Sequence, residues 1–351
     1  MSSTDPRNRP QKSGRGRRRG GPPPSGTGTA AEAGAGAQPA ATGATKARKR
    51  VDPTIQIGIV AAPADVVARA QHSRLVQADG SSEPLTERVV GPWVDRTPEQ
   101  TVIDVRAHRL LTHHAAPADT VWPEVRDLLP PALRERRQLY AEDLPARALD
   151  EALDRFLASI APLREFAKLG AVVFPFPSYF QPDTRALDYL EWLRDRSGDT
   201  PIAVELRNRQ WVAGKQRDIT LPFLESHRLA YVCVDVPSGF DSSLPPLAVA
   251  TTDTAFVRFH GRNADAWERD ADVGDDRFSY EYRDVDLEPW VARLEKLVGS
   301  AKAVHVVFSG RSTEGATRNA RLLVCVLSSE PSPTRRAPPV SGRPRRRPPA
   351  R

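Results

Sequence analysis

Thr254-Ala255-Phe256-Val257-Arg258-Phe259-His260-Gly261-Arg262-Asn263 begins apolar and ends in charge. Side chains two apart on a strand share a face, so Arg258 and His260 project one way while Val257 and Phe259 project the other. A strand covered by helices has no wet face along its length, so paired charges at its end imply the open mouth of a barrel or crevice. The gradient recurs. Ile202-Ala203-Val204-Glu205-Leu206-Arg207-Asn208 sets Glu205 and Arg207 on one face, and Val102-Ile103-Asp104-Val105-Arg106-Ala107-His108 does the same with Asp104, Arg106 and His108. Ala230-Tyr231-Val232-Cys233-Val234-Asp235 ends in a carboxylate. Several strands delivering ionisable groups to one rim is how a (β/α)8 barrel builds a site.

Eight short apolar runs read as strands: 55–60, 75–78, 102–105, 171–174, 202–206, 230–234, 256–259 and 304–308. Helical periodicity fills gaps between them. Leu149, Leu153, Phe156, Leu157 and Ile160 form an apolar stripe that is expected to run on past Pro162 to Lys168, with Gly170 as its stop. Ala186, Leu187, Leu190 and Leu193 form a second stripe, and Leu287, Trp290, Val291, Leu294 and Leu297 a third. Alternating strands and helices argue for a parallel sheet with right-handed crossovers. Eight repeats favour closure into a TIM-like α/β barrel. The alternative is an open doubly wound sheet, but no Gly-rich phosphate loop follows any of the strands.

Composition divides the chain into three. Residues 1–50 hold 11 Lys/Arg against 2 Asp/Glu and residues 328–351 hold 7 against 1, so with a net charge of +7 the segment 51–327 carries −8. The basic character belongs to the two tails. Rich in Pro, Gly, Ala, Ser and Arg, they are expected to be disordered, while the 277 residues of 51–327 suffice for one large domain. No stretch approaches a transmembrane helix in length, and Arg17-Arg18-Arg19 is followed by Gly-Gly-Pro-Pro-Pro instead of the apolar region of a twin-arginine signal. Cys233 and Cys325 form no metal-type cluster and read as reduced, buried residues of a cytoplasmic protein.

Six segments arrive in an order that resembles one family: Arg96-Thr97-Pro98; Asp104 to His114; Lys168-Leu169-Gly170-Ala171-Val172-Val173-Phe174-Pro175-Phe176-Pro177; Ala203-Val204-Glu205-Leu206-Arg207-Asn208-Arg209-Gln210-Trp211; Val257 to Asn263; and Arg318-Asn319-Ala320. Together they resemble the domain-of-unknown-function family 72, the YecE-like proteins, from about Trp93 to Leu323. The resemblance implies a TIM-type barrel and brings no assigned activity with it. The chain departs from the family pattern at three strand ends. It reads Gly58-Ile59-Val60-Ala61-Ala62 after the first strand, where the family usually has Gly-Thr-Ser/Cys-Gly-Trp. At the second strand Asp79 is kept but Gln77 replaces a carboxylate, and Ser309-Gly310 replaces a pair of asparagines often found at the eighth. Arg106 stands where the family tends to carry a lysine. Residues beyond Leu323 read unlike a continued barrel helix.

Each candidate site residue has two readings. Glu205 is a general acid or base with its pKa set by Arg207, or one half of a structural salt bridge with it. Arg258 and His260 grip a phosphate or carboxylate, by bidentate fork and proton donation, or form a polar plug. Asp235 is a catalytic carboxylate or a loop cap. Arg106 and Arg207 are further anion ligands, and Trp211 lines the pocket or packs in the core. Arg318 and Asn319, near the start of the last helix, form a phosphate cradle or an ordinary turn. His113 and His114 lack metal-ligand spacing and suggest no metal site.

Two functions from different classes follow. One is a cofactor-independent acid–base enzyme, a hydrolase or isomerase, acting on a phosphorylated or nucleic-acid-derived substrate. The other is a catalytically impaired barrel associated with nucleic acid through tails 1–50 and 328–351, since clustered positive charge gives salt-sensitive, sequence-indifferent attachment to phosphate backbones. Neither invokes a membrane.

Overall fold

The computed structural model describes residues 51–52, 54–268 and 276–329. Of the regions read as basic tails, 1–50 lies outside the described residues, as does 328–351 apart from Ser328 and Ser329. Among the described residues no helix is long and apolar enough to cross a membrane.

Eight parallel strands close a barrel: β1 Ile55–Ala61, β2 Leu75–Asp79, β3 Val102–Arg106, β4 Leu169–Pro175, β5 Ile202–Glu205, β6 Leu229–Asp235, β7 Thr254–Phe259 and β8 Ala303–Phe308. They follow one another around the barrel in chain order, and β1 pairs with β8 to close it. All eight runs expected from the sequence are barrel strands. The principal helices are α1 Val66–Ala70, α2 Glu87–Arg96, α3 Ala146–Glu165, α4 Thr184–Ser197, α5 Arg217–Ser226, α6 Asp284–Val298 and α7 Thr313–Ser328. The alternation fails once: the β6–β7 connection, residues 236–253, contains no helix. Thr251 pins that connection from outside, its hydroxyl donating to the Leu229 carbonyl at 2.7 Å and accepting from the Tyr231 amide at 2.8 Å.

The apolar stripes face the sheet as their spacing requires. On α3, Ala152, Leu153, Phe156, Ile160 and Leu163 are buried; on α6, Leu287, Trp290, Leu294 and Leu297. Phe259 and Phe308 stack at 4.5 Å between sheet and helices, with Trp290 edge-on to Phe259 at 5.0 Å. Two helix ends differ from expectation. The helix α3 stops at Glu165, not Lys168, because Ala167 turns into the left-handed region at φ 53° and the Lys168 amide reaches back to the Leu163 carbonyl. The helix α7 runs five residues past Leu323, to Ser328, because Val326 is buried and carries the apolar stripe one turn further.

Lys168 then begins the approach to β4 as a buried cation. Its Nζ donates to the Thr97 carbonyl at 3.0 Å, the Thr97 hydroxyl at 2.9 Å and the Pro98 carbonyl at 2.9 Å. Two segments far apart in sequence, Arg96-Thr97-Pro98 and Lys168-Leu169-Gly170, thus meet at the end of the barrel opposite its mouth. Gly170 is a strand residue rather than a helix stop, and its lack of a side chain is required: a Cβ there would lie 2.3 Å from Asp104 Oδ1 and 2.9 Å from His305 Cε1. Asp104 and His305 fill the barrel interior, the imidazole Nδ1 lying 3.1 Å from both carboxylate oxygens. Gln77, in register with Asp104, is buried beside them, and its Oε1 has no partner among the described residues.

Candidate functional site

Strand register decides which charges meet. Arg106 is level with Asp79 on one side and Val173 on the other, Pro175 is level with Glu205, and Val234 with Arg258. Neighbours in register point to the same side, and residues two further on repeat the direction. Asp79, Arg106, Glu205, Arg207, Arg258, His260 and Ser309 therefore all face inward at the carboxyl ends of the strands.

At the centre is Glu205, 1% exposed. Its Oε2 accepts from Arg258 Nη1 at 2.5 Å and its Oε1 lies 2.9 Å from His260 Nε2. Arg258 donates its other arm, Nη2, to the Ser309 hydroxyl at 3.1 Å. Arg106 makes a longer contact, 3.5 Å, with Asp79, whose carboxylate also accepts from the Ser81 hydroxyl at 2.6 Å. Arg207 takes no carboxylate among the described residues: its guanidinium lies over the Trp267 ring, 4.9 Å from the centroid. The pairing of Glu205 with Arg207 expected from their spacing is thus replaced by a cross-strand contact with Arg258 and His260.

The protonation states follow from burial and from these neighbours. Burial would raise the Glu205 carboxyl, but Arg258, His260 and Arg207 hold it well below the ordinary carboxylate range. Burial pushes the His260 imidazole below its usual value, against the pull of Glu205, with Arg258 adding to the depression. His260 is consequently neutral at neutral pH. Because an ionised carboxylate can only accept, the hydrogen assigned to Nε2 leaves Nδ1 as the lone-pair nitrogen. His260 is 3% exposed, and this Nδ1 has no partner among the described residues. The buried Nε atoms of Arg106 and Arg258 are also unpartnered there. Burial lowers both Arg106 and Arg207; repulsion from Arg258 and Arg109 lowers Arg106 further, and repulsion from Arg277, Arg106 and Arg258 lowers Arg207 further.

His114 belongs to this site. Burial, then Arg106, Arg207 and Arg109, push it down to about 4, so it is a neutral imidazole among guanidiniums, its Nδ1 2.9 Å from the Thr112 hydroxyl. Along with Arg109, Asp79, Ser309 and Trp267, it completes a rim that sequence reasoning assembled only in part. The one available signal was the run of charge from Arg106 to His114. His113 instead turns away at φ 58° into an aromatic cluster with Phe176, Phe180 and Tyr189. Among the described residues no three His, Cys, Asp or Glu side chains form a group that could hold a metal ion.

Several other candidates occupy structural positions. Asp235 points outward, between sheet and helices, and four donors fill its carboxylate: Arg262 Nε at 2.8 Å and Nη2 at 2.6 Å, the Tyr282 hydroxyl at 2.9 Å and Trp290 Nε1 at 2.6 Å. It faces away from the mouth and ties β6 to α6. Arg318 lies on the second turn of α7, 66% exposed, paired with Glu281 at 2.9 Å. Asn319 is buried, accepting from the Tyr282 amide at 3.1 Å and donating to the Tyr280 carbonyl at 2.9 Å, so it orders a loop. The Trp211 indole packs in the core and donates to the Phe180 carbonyl at 2.7 Å. His108 is buried against Trp122 and accepts from the Leu110 amide, so it leaves the face it was expected to share with Arg106. Cys233 is buried as expected, whereas Cys325 is exposed on the outer face of α7. A cleft of about 390 Å³ opens beside the mouth, sharing Asp79 with it and lined further by Asp65, Glu83, Arg311 and Ser312.

The profile of the family described as "Protein of unknown function DUF72" matches residues 72–342. The UPF0759 protein YunF of Bacillus subtilis (strain 168) is 28% identical to this chain over 269 residues, covering 75% of this chain and 86% of the relative. Among solved structures, a DUF72 family protein from Enterococcus faecalis V583 is similar with a TM-score of 0.63 at 24% identity, over 79% of this chain and 98% of that one. Another, from Thermotoga maritima MSB8, gives a TM-score of 0.58 at 22% identity, over 78% and 99%. Strand β2, one of the three whose ends depart from the family pattern, lies inside the matched region. With the closed barrel and the match across most of its length taken together, this chain belongs to the DUF72 (UPF0759) family, the YecE-like proteins.

Proposed function

We propose that the mouth is an acid–base centre in which His260 moves the proton and Glu205 orients it, serving a hydrolase or isomerase that needs no organic cofactor. Its substrate is anionic, phosphorylated or derived from nucleic acid. The observation that carries the reading is the buried Nδ1, without a partner among the described residues, of a neutral His260 whose Nε2 is tied to an ionised Glu205. A carboxylate held far below its ordinary pKa is a weak proton acceptor and has no proton to give at neutral pH, so Glu205 acts through the imidazole rather than as the acid or base itself. By fixing the tautomer it leaves Nδ1 as the base, and it stabilises the imidazolium formed when the proton arrives. Arg106, Arg207 and Arg258 supply the positive field for the substrate's charge.

The test is turnover of a panel of sugar phosphates, nucleotides and short oligonucleotides by the native protein and by His260→Gln. Removal of a positioned acid–base group lowers turnover by roughly 10²–10⁴-fold, with the acidic limb of the native pH profile below the ordinary histidine value. Native turnover in a folded H260Q would refute the role. A native protein inert against the whole panel would refute the enzyme reading for these substrates.

A further inference from the structure

Resting on that reading of the mouth, we infer that the charged end of the substrate is a phosphomonoester dianion held between Arg106, Arg207 and Arg258, and not the monoanionic phosphodiester of a nucleic-acid backbone. Two observations carry this. The first is the set of open donors. Arg258 spends Nη1 on Glu205 and Nη2 on Ser309, yet its buried Nε has no acceptor among the described residues. Arg106 touches Asp79 only at 3.5 Å, and its Nε has none there either. Buried guanidinium N–H groups without acceptors are costly, and an oxyanion relieves the cost at several points at once.

The second observation is charge. Arg106, Arg109, Arg207 and Arg258 share the mouth with two carboxylates, Asp79 and Glu205, and neither Arg109 nor Arg207 has a carboxylate partner among the described residues. Arg277 also bears on Arg207, so among the described residues the cations exceed the two anions by at least two, while His114 and His260 are neutral. A phosphomonoester carries about −1.5 to −2 near pH 7, whereas each backbone diester carries one negative charge. The dianion offsets more of that excess than a single negative charge does. The rival position, the amino end of α7, is disfavoured by the same reasoning: Asp65, Asp79 and Glu83 line the cleft beside it, and Arg311 there is already paired with Asp276.

Calorimetric titration of the full chain at pH 8 and low salt, with methyl phosphate and with dimethyl phosphate, tests the inference. Methyl phosphate is expected to bind about tenfold or more tightly than dimethyl phosphate, and Arg106→Gln or Arg207→Gln to weaken it by about tenfold each. Arg207 is the safer variant, since its guanidinium rests on the Trp267 ring rather than on a carboxylate among the described residues. Arg318→Gln should bind as the native chain does. Equal or tighter binding of dimethyl phosphate overturns the inference, as does a native chain that binds neither. So does methyl phosphate binding that survives both R106Q and R207Q, which would locate it on the basic tails. H260Q separates the two proposals: it keeps methyl phosphate binding if the anion site is right, whatever becomes of turnover.

Discussion

Glu205→Gln keeps the shape of the side chain and removes its charge, and the expected loss can be worked from its contacts. In the native protein the Arg258 guanidinium, 6% exposed, is neutralised by Glu205 at 2.5 Å. The amide has one acceptor where the carboxylate had two: if its oxygen keeps the bond from His260 Nε2, its NH2 faces the Arg258 guanidinium, which is left with the Ser309 hydroxyl alone. Breaking a buried pair by removing one partner costs about 3–5 kcal/mol. Asp79 also lies near Arg258, which favours the lower end, about 3 kcal/mol. For a domain of this size each kcal/mol moves the midpoint by about 2–4 °C, so Tm should fall by about 6–12 °C. Urea unfolding at pH 7 gives the same quantity from the midpoint if the slope is unchanged. The folded pKa of Glu205 is depressed, so its contribution is present above the unfolded value of about 4.3 and lost as pH falls through the lower folded value. The native-minus-variant difference should therefore be flat between pH 5 and 8 and shrink only below about pH 4. An E205Q protein within about 0.5 kcal/mol of native at pH 7 would show that the pair does not hold the mouth together, and the electrostatic argument would fail with it.

Three further outcomes are expected. Lys168→Met leaves three acceptors at Thr97 and Pro98 without their donor and should cost about 2–3 kcal/mol in urea unfolding; a loss below about 0.5 kcal/mol would mean that water replaces the ammonium. Gly170→Ala drives a methyl against Asp104 Oδ1 and His305, so thermal unfolding should show a loss of about 1–3 kcal/mol, and an unchanged midpoint would refute the close approach. Burial and Arg109 push His108 down to about 4. Its neutral form therefore adds stability that is complete above the unfolded value near 6.5 and lost as pH falls from there to about 4, roughly 3 kcal/mol in all. His108→Gln should flatten the stability–pH slope in that window, and an unaltered slope would rule the residue out as its source.

The strands were legible because each is a short β-branched or aromatic run, and the carboxyl-end charges marked which way the mouth opens. Which residues meet there was not, because that depends on register between strands distant in sequence: Glu205 finds Arg258 53 residues away, while its visible neighbour Arg207 goes to an aromatic ring. Asp235 shows a second limit. Strand β6 is apolar on both faces and buried throughout, so period-two alternation carries no sign of which side is inner. Ala230, Val232 and Val234 take the interior and send Asp235 to the helices. His114 was passed over because it was weighed only as a metal ligand, although the guanidiniums around it were visible in the same run. Asn319 and Lys168 are buried polar groups whose partners lie in loops, and nothing local announces them.

The Lys168 knot has an architectural consequence. It joins residues 71 positions apart, and so fastens the loop that enters β3 to the turn that enters β4, the two feet of the stretch that forms β3 and returns through α3. Where both feet of a loop are fastened, added length between them is entropically cheap, about 0.6 kcal/mol for each doubling. The part of that excursion beyond His114 can therefore accept new segments while β3 and β4 stay in register. Length added there would leave in place the guanidinium that Arg106 presents to the mouth.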